Sequence, residues 1–143
     1  MRRKCGGNQF GSKDCVAGFW DVSQVEQVIT ERTKAVMPVH YAGEPVDMED
    51  LQDLCGRRGL PIVEDACQAI LAEYDGNRAG TFGEMAGFSL HPLKNLNVWG
   101  DAGIVVTDSE DQYRRLRLLR NHGMTNRDEI ELLGYNSRLD TLQ

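Results

Sequence analysis

The chain contains 143 residues, about the size of one domain. Its apolar fraction of 41% and charged fraction of 27% are typical of a folded globular protein, and its net charge of −6 argues against a protein that binds the phosphate backbone of nucleic acids. No apolar run approaches the ~18 residues that a membrane-spanning helix requires, so we expect no membrane partner.

Four cysteines are scattered along the chain, at Cys5, Cys15, Cys55 and Cys67. They are too few and too widely spaced for a disulfide framework, and no two of them form the Cys-x-x-Cys pair typical of zinc sites. The cysteine pattern therefore predicts a reduced, cytoplasmic protein without a metal site.

The first predicted element follows a segment without periodicity. Residues 1–18 are rich in Gly, Lys, Asn and Ser, so they are predicted to be loop or disorder outside the fold and to contribute nothing to a site. Asp21 can cap a helix with Gln24 at its third position. The apolar residues that follow fall on one helical face, namely Val22, Val25, Val28 and Ile29. A short amphipathic helix is expected here.

The next segment has the pattern of a strand, a helix and a second strand. Residues 34–39 and 60–63 are compact apolar runs typical of strands buried on both faces. Between them, Asp47 can cap a helix that Gly59 ends with a left-handed C-cap. Its apolar side carries Met48, Leu51, Leu54 and Cys55. Such a unit of about 30 residues predicts parallel strands with a right-handed crossover, and hence an α/β fold.

The remaining elements extend the same domain. Asp75-Gly76 is a hairpin turn signal, and residues 85–90 and 103–107 are typical of strands. Ser109 opens a helix whose inward face is predicted to carry Tyr113, Leu116 and Leu119. We therefore expect a mostly parallel sheet flanked by helices.

Polar side chains follow two of these strands. Asp65 and Gln68 come after one, and Ser89 and Lys94 come after another, at the sheet edge where open α/β folds bind ligands. A lysine among apolar neighbours is partly desolvated, which frees its amine as a nucleophile toward a carbonyl. A Schiff-base lysine and an aspartate for a ring nitrogen are what pyridoxal phosphate requires. Position alone favours the simpler interpretation, namely a surface lysine, a capping or turn aspartate and ordinary polar loop residues.

Five segments carry a resemblance to a known family. In chain order they are TKAVMPVHYAGEPVDMEDL, LPIVEDACQA, AGFSLHPLKNLNVWGDAGIVVT, LRNHG and GYNSRLDTLQ. Together they resemble the DegT/DnrJ/EryC1/StrS family of pyridoxal-phosphate-dependent sugar aminotransferases. The resemblance runs from Thr33 to Gln143. It implies the aspartate aminotransferase fold type, that is, fold type I of pyridoxal phosphate enzymes.

The resemblance also implies a role for each matching residue. Lys94 matches the lysine that forms a Schiff base with the cofactor, and Asp65 matches the aspartate that pairs with the pyridine nitrogen. Gln68 matches the glutamine beside the ring hydroxyl, and Ser89 matches the serine that contacts the phosphate. Asn136 resembles an asparagine that reaches the phosphate of the neighbouring subunit's cofactor, which implies a homodimer of the full-length protein.

The implied activity is transfer of an amino group from an amino-acid donor, expected to be glutamate, to a nucleotide-linked keto-sugar, as in the biosynthesis of cell-surface polysaccharides. Dehydratase relatives carry histidine where Lys94 stands, so a pyridoxal phosphate-dependent sugar dehydratase is the less favoured alternative. A doubly wound nucleotide-binding module is discounted because no Gly-x-Gly-x-x-Gly motif is present. His40 and His91 are interpreted as structural hydrogen-bond donors.

Family members are much longer than this chain. Residues 19–143 are therefore expected to be part of the large, cofactor-binding domain, lacking its N-terminal part and the C-terminal domain. We expect such a fragment to be inactive alone. The alternative from another class is a non-catalytic truncated remnant that serves only as an interaction surface.

Overall fold

The computed structural model describes residues 21–139. Within this range the elements follow in the order α1 (Val22–Val28), a 3-10 turn (Tyr41–Gly43), α2 (Met48–Arg58), β1 (Val63–Asp65), β2 (Glu73–Tyr74), β3 (Asn77–Arg78), β4 (Met85–Ser89), β5 (Gly103–Val106) and α3 (Glu110–Leu119). Segment 1–18, which the sequence predicts to be loop or disorder, lies outside the described residues.

A three-stranded sheet with the order β1-β4-β5 forms the centre of the fold. β1 and β4 are parallel, with Val63 opposite Met85 and Asp65 opposite Gly87. On the other side of β1, residues 36–39 run alongside it through two parallel bridges. The predicted pair of parallel segments connected by α2 is thus confirmed, and with it the α/β class.

β5 is antiparallel to β4, so the sheet is mixed: segment 36–39, β1 and β4 run parallel to one another, and β5 runs in the opposite direction. Phe88 lies opposite Ile104 in this pair. Parallel neighbours need a crossover connection, usually a helix, whereas only the loop of residues 90–102 joins these two strands. The chain therefore returns beside β4 in the opposite direction. The predicted hairpin is confirmed, because β2 and β3 pair antiparallel around Asp75 and Gly76.

Helix α2 buries its apolar side against the sheet. Asp47 caps it by accepting a hydrogen bond from the amide of Asp50, and Gly59 ends it in the left-handed conformation at φ +62°. All four apolar residues predicted for its inner face are buried, namely Met48, Leu51, Leu54 and Cys55. Full burial of such side chains stabilises a fold by about 1.5 to 3 kcal/mol each. This packing holds β1, and with it the residues that follow β1, in place.

Two residues predicted to face inward are exposed. Val28 is the last residue of α1 and is 68% exposed, because the helix packs on the core through Val25 and Val22, about one and two turns earlier. Tyr113 is 47% exposed and instead lies under the guanidinium of Arg117, 5.8 Å from its ring centre. Short helices with one apolar stripe leave such end and flank positions in water.

Gly83 stands where its backbone approaches β1 too closely for a side chain. A Cβ there would lie 2.5 Å from the carbonyl oxygen of Ile62, whereas a Cβ at Gly56 in α2 would meet nothing within 4 Å. Gly83→Ala is therefore expected to lower the free energy of unfolding by about 1 to 3 kcal/mol, and the control Gly56→Ala to raise it by up to about 1 kcal/mol. Urea unfolding midpoints measure both changes; equal midpoints for the two variants would contradict this reading of the contact.

Candidate active site

A cavity of about 310 Å³ opens at the carboxyl ends of β1 and β4. Three of the five residues assigned from the sequence lie in its wall: Gln68, Ser89 and Lys94. The other lining residues are Ala42, Ala66, Cys67, Ile70, Phe88, Leu93, Asn95 and Leu96. The wall thus combines an amide, a hydroxyl and an amine with apolar surface. Such a composition is typical of small-molecule sites.

Asp65 is the last residue of β1 and stands immediately before the part of the chain that lines the cavity. Its carboxylate Oδ1 accepts a hydrogen bond from the amide of Cys67 at 3.1 Å. Its own amide donates to the carbonyl of Pro38 at 2.8 Å, and its carbonyl accepts from the amide of His40 at 3.0 Å. Hydrogen bonds at both the amide and the carbonyl of Asp65 therefore hold its backbone against residues 38–40.

Gln68 is tied to the turn that precedes α2. Its Oε1 accepts a hydrogen bond from the amide of Ala42 at 2.9 Å, across 26 residues of sequence. Ala42 has a positive φ of 54°, which a residue with a Cβ adopts at a cost. Because Oε1 is engaged by Ala42, the NH2 group is the part of this side chain that can donate to a ligand.

Ser89 and Lys94 are brought together by the loop that leaves β4. The Oγ of Ser89 accepts a hydrogen bond from the amide of His91 at 3.3 Å, and the amide of Lys94 donates to the carbonyl of His91 at 2.8 Å. This turn folds the chain back after the strand. Both side chains are half-buried and line the cavity.

The pKa of the Cys67 thiol depends on charges from both sides of the site. Burial raises its pKa, and the hydrogen bond and negative charge of Asp65 raise it further, whereas the positive charge of Lys94 lowers it. A carboxylate from β1 and an amine from the loop after β4 therefore act on one sulfur atom.

This arrangement predicts how Cys67 reacts with iodoacetamide. Because burial and Asp65 raise its pKa above that of an ordinary thiol, alkylation should be slow at neutral pH and should accelerate in the alkaline range. Asp65→Asn removes a charge that raises the pKa and should speed the reaction at pH 8, and Lys94→Ala should slow it. The thiol of Cys55 is the control, since burial alone raises its pKa. Peptide mapping measures both rates, and a Cys67 rate indifferent to both substitutions would contradict the proximity of the three groups.

Asn136 does not join the other four predicted residues. It is exposed and pairs with Asn121 in an isolated bridge beyond the end of α3. Its Oδ1 accepts a hydrogen bond from Nε of Arg138 at 3.1 Å. Its assigned role toward a neighbouring subunit stays a prediction.

Sequence reasoning missed a buried hydrogen-bonded pair behind β1. Nε2 of His40 lies 3.0 Å from Oε2 of Glu64, and both side chains are fully buried. Burial raises the pKa of Glu64, but hydrogen bonds from His40 and from the amides of Gly80, Gly83 and Phe82 outweigh it and hold the pKa below 4.5. The stabilisation from this carboxylate is therefore present at neutral pH and is lost as the pH falls through the lowered pKa.

No group of three or more His, Cys, Asp and Glu side chains between residues 21 and 139 comes together as metal ligands. None of the helices in that part of the chain is long and apolar enough to cross a membrane.

The fold and the cavity define an α/β domain with a candidate active site around a lysine. A sequence model of the DegT/DnrJ/EryC1/StrS aminotransferase family matches residues 13–143. The chain therefore belongs to this family of pyridoxal-phosphate-dependent aminotransferases, and the resemblance carried by the five segments is confirmed.

Named relatives and solved structures agree with this membership. The chain is 50% identical over 119 residues to the dTDP-3-amino-3,4,6-trideoxy-α-D-glucose transaminase of Streptomyces venezuelae, covering 83% of this chain and 31% of the relative. The structure of S. venezuelae DesV in complex with a ketimine intermediate superposes with a TM-score of 0.82 at 49% identity, covering 86% of this chain and 33% of DesV. Bacillus subtilis NtdA with bound PMP gives a TM-score of 0.79 at 32% identity, covering 86% and 28%. The expected aminotransferase fold type is confirmed, and the chain spans about a third of the length of these relatives.

Proposed function

We propose that residues 19–143 form the part of a nucleotide-sugar aminotransferase that holds pyridoxal phosphate, and that the whole protein transfers an amino group from glutamate to a nucleotide-linked keto-sugar. The observation that carries this proposal is the cavity itself. Lys94, Ser89 and Gln68 follow two different strand ends and line the same space, and Asp65 accepts a hydrogen bond from the amide of Cys67 in its wall.

The donor set fits the cofactor group by group. Pyridoxal phosphate has a carbonyl that bonds to an amine, a ring nitrogen, a ring hydroxyl and a phosphate. Lys94 supplies the amine, and the hydroxyl of Ser89 is a donor for phosphate oxygens. The NH2 of Gln68 can donate to the ring hydroxyl, and the carboxylate of Asp65 can hold a proton on the ring nitrogen.

The residues then divide the chemistry between them. When bound, pyridoxal phosphate supplies an electron sink for the transferred amine. Nζ of Lys94 would hold the cofactor through its carbonyl and, as a free amine, would move the proton at Cα of the donor. Asp65 keeps the ring nitrogen charged during that step. Ser89 and Gln68 hold the cofactor so that Nζ and the Cα proton stay within reach.

Three further assignments belong to the whole protein. Asn136 is exposed where it bridges to Asn121, beyond the end of α3, and is proposed to reach the cofactor of a second subunit, as in a homodimer. The donor is proposed to be glutamate. The free thiols of Cys55 and Cys67 support a reducing compartment, the cytoplasm.

A chimera tests the activity directly. Residues 21–139 would replace the matching segment of the S. venezuelae transaminase, and the purified chimera would be given pyridoxal phosphate, glutamate or glutamine, and a panel of nucleotide-linked keto-sugars. With glutamate as the donor, we expect an aminated sugar and 2-oxoglutarate by mass spectrometry. A folded chimera that bound the cofactor but aminated no sugar, or only dehydrated one, would overturn the proposal.

A further inference from the structure

A buried carboxylate on the back of β1 gathers four hydrogen-bond donors. Oε2 of Glu64 accepts from Nε2 of His40 at 3.0 Å and from the amide of Gly80 at 2.7 Å. Oε1 accepts from the amides of Phe82 and Gly83, each at 2.7 Å. Every lone-pair direction of the carboxylate is used. Glu64 therefore joins the chain segment before the 3-10 turn to the turn that precedes β4.

The ring of His40 has one tautomer that satisfies all its contacts. Nδ1 faces the amide of Val46 at 3.3 Å, which can only donate, so Nδ1 is an acceptor. The ring hydrogen is then on Nε2 and points to Glu64, in agreement with the interpretation of His40 as a structural donor. Neither ring nitrogen can change role without losing a hydrogen bond in a fully buried place.

The pair is connected to the cavity through the residues that follow His40. Ala42 lies two residues further along, lines the cavity and donates its amide to Oε1 of Gln68. Its positive φ is an unfavourable conformation that persists only where neighbouring contacts enforce it. Glu64 and Asp65 are adjacent in β1, so their side chains leave opposite faces of the strand. The back of the sheet thus supports the turn that holds Gln68 at the front.

We propose that Glu64 and His40 are positioning residues that hold the turn at Ala42 and, through it, set the side chain of Gln68 in the cavity. This inference rests on the proposed function where it names pyridoxal phosphate as the ligand that Gln68 meets. Neither residue touches the cavity. Their effect on the cofactor is therefore indirect and should depend on the presence of Gln68.

Two variants break the pair in different ways. Glu64→Gln keeps the shape but turns an NH2 group toward two N–H donors. His40→Ala removes one donor and leaves the three backbone amides on Glu64, so it tests the inference if the first variant fails to fold. Leu54→Ala is the matched control, since Leu54 is 1% exposed in α2 and its truncation destabilises the core without touching the pair.

Hydrogen exchange tests the positioning without any cofactor. We expect the amide of Ala42 to exchange about tenfold faster in Glu64→Gln and His40→Ala than in the parent chain. In Leu54→Ala the exchange rate of the Ala42 amide should change only as much as the rates of amides elsewhere in the core. Unchanged Ala42 exchange in both pair variants, or equal acceleration in Leu54→Ala, would overturn the inference.

A double-mutant cycle with Gln68→Ala tests the consequence for the ligand. Titration with pyridoxal phosphate should show about tenfold weaker binding for Glu64→Gln in the parent chain, but less than about twofold further loss in the Gln68→Ala background. The same tenfold loss of affinity in both backgrounds would show that Glu64 acts independently of Gln68 and would overturn the inference. If the parent chain bound no pyridoxal phosphate, the proposed function would fail, and the exchange result alone would decide the positioning.

Discussion

Replacing Lys94 by alanine is expected to abolish the covalent attachment of pyridoxal phosphate that borohydride reduction fixes in the parent chain. Lys94 and Lys34 are the two lysines within residues 21–139, and of these only Lys94 lines the cavity with Ser89 and Gln68. An amine held beside the phosphate and ring contacts reacts far more readily than one in open solvent, because the reacting atoms are already placed. The expected change is from one pyridoxyl group per chain to background labelling.

Mass spectrometry of the reduced chain, followed by peptide mapping, measures this difference. Lys34→Ala is the matched control, because Lys34 is exposed before the segment that pairs with β1 and should leave the labelling of Lys94 intact. A Lys94→Ala chain that still carried one reduced pyridoxyl group at a defined lysine would show that another residue is the attachment point.

Local signals in the sequence predicted most of the elements correctly. Helix α2 begins at the cap Asp47 and ends at Gly59 as expected, because both signals act through hydrogen bonds and dihedral angles within a few residues. The predicted parallel pairing was also right, since a short crossover helix leaves few other arrangements. The antiparallel direction of β5 was not predicted. It depends on the loop of residues 90–102, which contains no crossover helix.

The candidate site, too, was predicted from the sequence only in part. The sequence could predict that Lys94, Ser89 and Gln68 lie close together, because the carboxyl ends of parallel strands meet at one sheet edge. The hydrogen bond from Ala42 to Gln68 joins residues 26 apart and has no local signature. The partners of Glu64 are likewise not predictable from the sequence, because they lie 16 to 24 residues away and become donors to it only after the chain folds. The alternation of side chains along a strand could only have predicted that Glu64, next to Asp65, faces inward.

The second large effect is expected at Asp65. Asparagine has nearly the same shape, and its Oδ1 can keep the hydrogen bond from the amide of Cys67, so the end of β1 should hold its conformation. What is lost is the negative charge that stabilises a proton on the cofactor's ring nitrogen. Charged hydrogen bonds contribute about 1.5 to 3 kcal/mol, and each 1.4 kcal/mol corresponds to about tenfold in rate. The cofactor should still bind while removal of the donor's Cα proton slows by about 100-fold.

The measurement is a single-turnover reaction of the chimera with glutamate, followed by the change in cofactor absorbance. Asp75→Asn is the matched control, because Asp75 is an exposed residue of the β2–β3 turn and its replacement removes the same charge far from the cavity lining. Cofactor affinity is measured alongside, which separates weak binding from slow proton removal. An Asp65→Asn chimera that bound the cofactor and reacted with glutamate as fast as the Asp75→Asn control would reject the assignment of Asp65 to the ring nitrogen, whatever the result at Lys94.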